Sequence, residues 1–216
     1  MTKRIYNRFD KSLISGLPRA EFPGKIHVIV SINVCNEVVN KLMKADILGI
    51  DTETRPSFRK GVLNQVSLLQ VSTHDDCYLF RLCRLGLPKS IITLLSDNTV
   101  PKVGLSLHDD LMQLRRRGKF TPGLFIDLQD HMREIGIQDL SLQKLYANIF
   151  GEKISKSAQL SNWDADHLSP KQVMYAATDA WACIQLYDEL SRLRTTGDYE
   201  LVGDTVSDLT NDIQEP

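Results

Sequence analysis

The chain reads ILGIDTET at residues 47–54 and NQVSLLQVSTHDDCYLFRL at residues 64–82. The first run and both halves of the second are rich in apolar residues, which is typical of buried strands. The polar residues 73–76 separate the two halves and predict a hairpin between strands at 64–73 and 76–82. Together the three strands predict an antiparallel meander.

Strand and helix patterns alternate around this meander. Further strands are predicted at 25–30, 102–105 and 123–127, and helices at 33–44, 88–96, 107–117, 128–135 and 140–150. A final helix begins at Ser169-Pro170-Lys171-Gln172, which supplies a capping Ser, a first-turn Pro and a capping-box Gln, and it runs to about Arg194. This order predicts a single α/β domain in which helices flank a mixed β-sheet.

The composition is that of one globular domain, with 216 residues of which 42% are hydrophobic and 25% are charged. We predict an N-terminal extension at 1–24, the folded domain at 25–194, and an acidic, mobile tail at 195–216. The N-terminal residues lack a signal-peptide pattern, and no apolar run approaches the ~18 residues of a membrane span. The four cysteines show no metal-binding spacing, so we expect reduced thiols in a cytoplasmic protein without membrane contact.

Charge is distributed unevenly along the chain. The first 197 residues contain 26 bases and 21 acids, whereas six acids and no base follow. A mildly basic body permits contact with a polyanion but does not establish it.

Asp51 and Glu53 end the apolar strand at 47–54. The two-residue period of a strand directs both side chains to one face, about 7 Å apart. Acids placed in this way repel one another, and a hard divalent cation such as Mg²⁺ offsets such repulsion. On this pair alone, the start of a solvated loop is the simpler interpretation.

Two later segments supply further acids. Asp109 and Asp110 follow the strand at 102–105 and open a helix, where acids are favoured by the helix dipole. Tyr175 and Asp179 lie four residues apart and so share one face of the final helix, among alanines. An Asp on an apolar helical face is costly unless it is paired or binds a metal. Acids from two strand ends and one helix predict a two-metal site for phosphodiester cleavage.

The order DTE, then VGLSLHDD, then SNWDADHLSPKQVMYAATDAWA, resembles the three motifs of the DEDD exonuclease superfamily, whose fold is ribonuclease-H-like. The similarity is to the DEDDy branch, which includes ribonuclease D and the Werner-type exonuclease domain, and it covers residues 25–194. In the sister branch a His stands five residues before the last Asp. That position here is Met174, while Tyr175 stands at the four-residue spacing.

The resemblance implies that Asp51, Glu53 and Asp179 hold one Mg²⁺ or Mn²⁺ ion, and that Asp51 bridges to a second ion that Asp110 helps to position. Tyr175 would orient or help to deprotonate the attacking water. Alignment of the apolar run before the acids favours Asp110 over Asp109. The implied activity is 3′–5′ exonuclease cleavage of a single-stranded 3′ end of DNA or RNA, with release of nucleoside 5′-monophosphates.

Rival interpretations remain open. The chain could be a catalytically silent exonuclease-like module that binds nucleic acid or protein, although silent relatives tend to lose a metal ligand and this chain keeps all four acids. An endonuclease of the same broad fold would lack the Tyr-x-x-x-Asp element. Four further residues have open or modest roles: Gln70 is substrate-facing or structural, Lys156 contacts a phosphate or only solvent, Asp127 is explained as a helix N-cap, and Trp163 stacks on bases or lies in the core.

Overall fold

The computed structural model describes residues 2–57, 59, 61 and 63–203. Within these residues the strands are β1 Lys3–Tyr6, β2 Lys25–Ile29, β3 Leu48–Thr54, β4 Val66–Ser72, β5 Asp76–Arg81, β6 Lys102–Gly104, β7 Phe125–Asp127 and β8 Tyr199–Val202. The helices are α1 Ile32–Leu42, α2 Leu82–Leu85, α3 Lys89–Ser96, α4 Leu107–Arg117, α5 Leu128–Ile135, α6 Leu142–Phe150 and α7 Pro170–Thr196, with a 3₁₀ helix at Lys11–Gly16.

Six strands form one mixed sheet in the order β2-β5-β4-β3-β6-β7. The neighbours β5, β4 and β3 run antiparallel, which confirms the predicted meander and its hairpin. The pairs β2·β5, β3·β6 and β6·β7 are parallel. The predicted α/β fold with a mixed sheet and flanking helices is therefore confirmed. The predicted strands and helices are all present and differ only by a few residues at their ends, whereas β1, β8, α2 and the 3₁₀ helix were not predicted.

Helices cover both faces of the sheet, as the packing of β4 shows. Leu68 packs with α7 on one face, whereas Leu69 and Val71 pack with α1 and α3 on the other. All seven residues of β4 are buried. A strand that is covered on both faces has no solvent-exposed row of side chains, and so its apolar residues are found on both faces.

Helix α7 approaches the sheet very closely at Gly49. A Cβ atom at this position would lie 2.0 Å from the backbone oxygen of Ala180, so only glycine fits. The capping box predicted at Ser169 is present and fixes where α7 begins. Because Asp51 lies two residues after Gly49 and Asp179 adjoins Ala180, the close approach brings the acids of β3 and α7 together.

The chain ends differ from the sequence prediction. Tyr199–Val202, predicted to belong to a mobile tail, form β8, which pairs in parallel with β1 inside the predicted N-terminal extension. Ile5 of β1 is fully buried against α5 and α7. Each strand can bury its apolar side chains only against elements distant in sequence, which local composition does not reveal. The rest of the predicted tail, residues 204–216, lies outside the described residues.

Among the residues that the structure describes, no helix combines the length and the hydropathy needed to cross a membrane.

Candidate metal centre

Three carboxylates meet where β3 passes beneath α7. Asp51 and Glu53 project from the same face of β3, and Asp179 projects from α7 towards them. One oxygen of each lies within 4.8 Å of the others. The structure therefore brings together three of the acids that the sequence singled out. Three carboxylate oxygens at this spacing form a donor set that suits a hard divalent cation such as Mg²⁺ or Mn²⁺.

The electrostatics of the cluster favour a bound cation. Burial and then the charge of Asp179 raise the pKa of Glu53 to about 8. Burial raises the pKa of Asp179 to about 7, although Tyr175 and Lys156 oppose this increase. Burial and the neighbouring carboxylates also raise the pKa of Asp51 well above its usual value. At neutral pH the cluster must either hold protons or receive a compensating positive charge.

Tyr175 lies against the same acids. Its hydroxyl is close enough to both carboxylates to act as a hydrogen-bond donor to either, and it lowers the pKa of Glu53 and of Asp179. Burial, followed by the charges of Asp179 and Glu53, raises the pKa of Tyr175, so the hydroxyl keeps its proton and acts as a donor here. The ring packs against the fully buried Trp163, with 6.0 Å between centroids. Trp163 is thus a core residue and not a stacking platform for bases.

Asp110 lies beside the three-carboxylate group. It occupies the first turn of α4 and accepts a hydrogen bond from the hydroxyl of Thr52, which projects from the opposite face of β3 to Asp51 and Glu53. Burial raises the pKa of Asp110 to about 6, and its charge in turn raises the pKa of Asp51. Asp109 is exposed. The placement favours Asp110 over its neighbour, as the alignment of the apolar run suggested.

Asp51, Glu53 and Asp179 line a cavity of about 420 Å³. The side chains around them include polar groups to which the sequence analysis gave no role, among them Thr52 and Ser106, which lie within the quoted motifs, and Gln143, which does not. Lys156 also lines the cavity, and its ammonium group donates to the hydroxyl of Ser141 at 3.4 Å. These residues come from separate loops and helices, and only the tertiary fold reveals that they share a cavity.

Gln70 faces the core. It lies directly opposite Asp51 in the β3·β4 register and is completely buried. Neither polar atom of its amide has a hydrogen-bond partner within the described part of the chain. The substrate-facing alternative for Gln70 is therefore wrong, and the structural alternative remains.

A mixed sheet of this order, with carboxylates beneath a long C-terminal helix, defines a ribonuclease-H-like nuclease domain. The chain belongs to the 3′–5′ exonuclease family, whose characteristic sequence pattern it matches over residues 26–193. Proteins of this family are hydrolases of nucleic acid. The ribonuclease D and Werner type that the three motifs indicated is confirmed by the relatives below.

The chain is 29% identical over 198 residues to the bifunctional 3′-5′ exonuclease/ATP-dependent helicase WRN of Mus musculus, a match that covers 87% of this chain and 14% of that protein. The crystal structure of the Nibbler EXO domain of Aedes aegypti superposes with a TM-score of 0.73 at 21% identity, covering 96% of this chain and 98% of the other. Ribonuclease D of Escherichia coli, an exoribonuclease involved in structured RNA processing, superposes with a TM-score of 0.71 at 18% identity, covering 79% and 45%. The two superpositions establish a shared fold.

Proposed function

We propose that this chain is a Mg²⁺- or Mn²⁺-dependent 3′–5′ exonuclease that removes nucleoside 5′-monophosphates from a single-stranded 3′ end of DNA or RNA. The observation that carries the proposal is the buried set of three carboxylates in the cavity of a domain that belongs to an exonuclease family. A purely structural cluster of buried acids would need cationic side chains around it. Among the described residues, Lys156 is the cation that lines this cavity.

In this proposal four acids bind the metal ions and Tyr175 orients the attacking water. Asp51, Glu53 and Asp179 would hold the first ion, and Asp51 and Asp110 would place the second. When bound, a pair of such ions activates water and stabilises the leaving oxygen of a phosphodiester. The hydroxyl of Tyr175, already directed at the carboxylates, orients the attacking water by donating or accepting a hydrogen bond.

The cavity supports attack at a chain end. Its volume of about 420 Å³ falls within the range of roughly 300–1,000 Å³ found for small-ligand sites, which suits one nucleotide and not a duplex. Lys156 at its rim would contact the phosphate of that nucleotide, and the hydroxyl and amide groups of Ser106 and Gln143 offer partners for sugar and base. The substrate in this proposal includes both DNA and RNA.

We also propose that the protein works in a reducing, intracellular compartment. All four cysteines are free, and Cys35, Cys77 and Cys183 are buried in the core. Mass spectrometry after thiol alkylation of protein taken directly from cells would test this. Disulfide-linked peptides would contradict it.

Digestion of end-labelled oligonucleotides tests the activity. Single- and double-stranded DNA and RNA labelled at the 5′ or the 3′ end are incubated with Mg²⁺, Mn²⁺ or EDTA. We expect a 5′-labelled single strand to shorten as a ladder and a 3′ label to appear at once as a mononucleotide, in both cases only with metal. The variant Asp51→Asn is the matched inactive control. Binding of nucleic acid without cleavage under every metal condition would instead support the silent-module interpretation.

A further inference from the structure

Asp127, at the end of β7, has a larger role than the helix cap that the sequence predicted. As expected, its Oδ1 accepts from the backbone N–H of Gln129 in α5, at 3.0 Å. The same carboxylate also reaches the turn before α4. Oδ1 accepts from the N–H of Ser106 at 3.0 Å, and Oδ2 accepts from the N–H of Leu107 at 2.9 Å.

The turn that Asp127 holds is strained. Ser106 has φ 60° and ψ 41°, and it is the non-glycine residue with positive φ within the described chain. For an ordinary L-residue the left-handed region is disfavoured, because Cβ approaches the following carbonyl oxygen too closely. Ser106 is the N-cap residue of α4, yet its side chain makes no capping hydrogen bond. The first turn of α4 is therefore held from outside by Asp127, with a further hydrogen bond from the side chain of Gln129 to the Ser106 hydroxyl.

This turn fixes the position of Asp110. Asp110 lies four residues after Ser106, in the first turn of α4, and its carboxylate contacts Thr52 of β3. A rotation of that turn would move Asp110 away from β3 while leaving Asp51, Glu53 and Asp179 in place, because those three residues are carried by β3 and α7.

We propose that Asp127 is a positioning residue for Asp110: its carboxylate clamps the strained Ser106–Leu107 turn and thereby sets the distance from Asp110 to the other acids. The inference rests on the proposed function, in which Asp110 places the second ion. Asp127 is not assigned as a ligand, because it lies outside the group of acids whose oxygens come within 4.8 Å of one another and does not line the cavity.

The variant Asp127→Asn tests the clamp selectively. Its amide oxygen can keep the bonds from Ser106 and Gln129, and Asn caps a helix as well as Asp does. Its NH₂ group replaces Oδ2, however, and cannot accept from the N–H of Leu107. Titration calorimetry with Mn²⁺ in the absence of nucleic acid is the readout. We expect one ion to bind within about twofold of wild type and the second to bind about 10-fold more weakly, at the lower end for residues that orient metal ligands.

Asp97→Asn is the matched control. Asp97 also accepts from two backbone N–H groups, those of Thr99 and Val100, but it precedes β6, whereas the acids follow the other end of that strand. We expect this variant to bind both Mn²⁺ ions with wild-type affinity. Unchanged affinity for the second ion in Asp127→Asn, or equal weakening in Asp97→Asn, would overturn the inference.

A second variant separates the clamp from the cap of α5. Glycine adopts the left-handed conformation without strain. In a Ser106→Gly background the turn therefore depends less on its hydrogen bonds to Asp127. We expect Asp127→Asn to weaken binding of the second ion less in that background than in wild type. An equal loss in both backgrounds would refute the clamp. Wild-type protein that binds no Mn²⁺ would refute the proposed metal site itself, which is a distinguishable result.

Discussion

Individual acids in this domain lie in positions that are unfavourable without a cation. Glu53 is buried, and its pKa of about 8 means that the folded protein holds a proton that the unfolded chain has released at neutral pH. Asp179, with a pKa of about 7, is partly protonated there, whereas an Asp in the unfolded chain is ionised. Burial thus destabilises the ionised forms of the same carboxyl groups that the proposed function needs as metal ligands.

The variant Asp179→Asn should abolish hydrolysis and raise stability when metal is absent. Asn keeps the shape of the side chain but removes one of the repelling charges. For a domain of this size, each 1 kcal/mol gained raises Tm by about 2–4 °C. Thermal unfolding in EDTA at pH 8, with Asp109→Asn as an exposed-acid control, checks the stability. Turnover like that of wild type would contradict the assignment of Asp179.

The same variant should change how stability depends on pH. Because the folded pKa of Glu53 and of Asp179 lies above the unfolded value, the folded state binds more protons, and stability contributed by the cluster falls as pH rises. For Glu53 the window runs from 4.5 to about 8. In EDTA, wild-type Tm should therefore fall across this window more than that of Asp179→Asn, and saturating Mn²⁺ should reduce the fall.

Mutation of the two neighbouring acids in α4 tests which of them is the acid of the second motif. Asp110 is half-buried and accepts a hydrogen bond from Thr52, whereas Asp109 is exposed, so Asp110→Asn should reduce turnover severely and Asp109→Asn mildly. Single-turnover rates at saturating Mn²⁺ measure both variants. The opposite order would show that the second-motif acid is Asp109.

Tyr175→Phe should separate orientation from binding. Phe retains the contact with Trp163 but removes the hydroxyl near Glu53 and Asp179. We expect kcat to fall by about 10²-fold, with KM and Mn²⁺ affinity nearly unchanged. Tyr146→Phe, a buried tyrosine that does not line the cavity, is the control. An equal loss of substrate affinity would make Tyr175 a binding residue.

At the scale of elements, the sheet and most helices could be predicted because their signals are local. The apolar run of β4 and the capping box of α7 each lie within a few residues, and both are confirmed. The two further bonds of Asp127 could not be predicted, because they join residues about 20 positions apart and depend on the left-handed turn at Ser106. Local sequence identified the N-cap at Asp127, while the tertiary fold gave the same carboxylate a second set of partners.

The contact between α7 and β3 yields a prediction at this scale. Gly49→Ala places a Cβ atom 2.0 Å from the backbone oxygen of Ala180, so α7 must move away from β3. We expect a loss of about 1–3 kcal/mol in unfolding free energy. Mn²⁺ affinity should weaken as well, because Asp179 moves with α7. Gly16→Ala, where a Cβ would meet nothing within 4 Å, is the control. Unchanged stability and affinity would show that the close approach does not set the site.

For the whole molecule, β1 and β8 join the two ends of the described chain. Ile5 pairs with Leu201 across the two strands and is fully buried against α5 and α7. Lys3 also pairs with Glu189 of α7. A mobile tail at 195–216, as the sequence predicts, implies that truncation after Gly197 leaves the core unchanged. The structure reverses that expectation, because this truncation removes β8 and uncovers β1.

We therefore expect two truncations to behave differently. A chain ending at Gly197 should have a lower Tm than wild type, whereas a chain ending at Gly203 keeps β8 and should unfold at the wild-type temperature.

The second truncation also removes four acids and no base, which leaves 26 bases against 23 acids in residues 1–203. If the acidic segment competes with nucleic acid for the basic body, its removal should tighten binding at low ionic strength, with little difference near about 0.5 M salt, where screening is strong. Binding isotherms of both proteins across a salt series measure this, and parallel curves at every salt concentration would eliminate the competition.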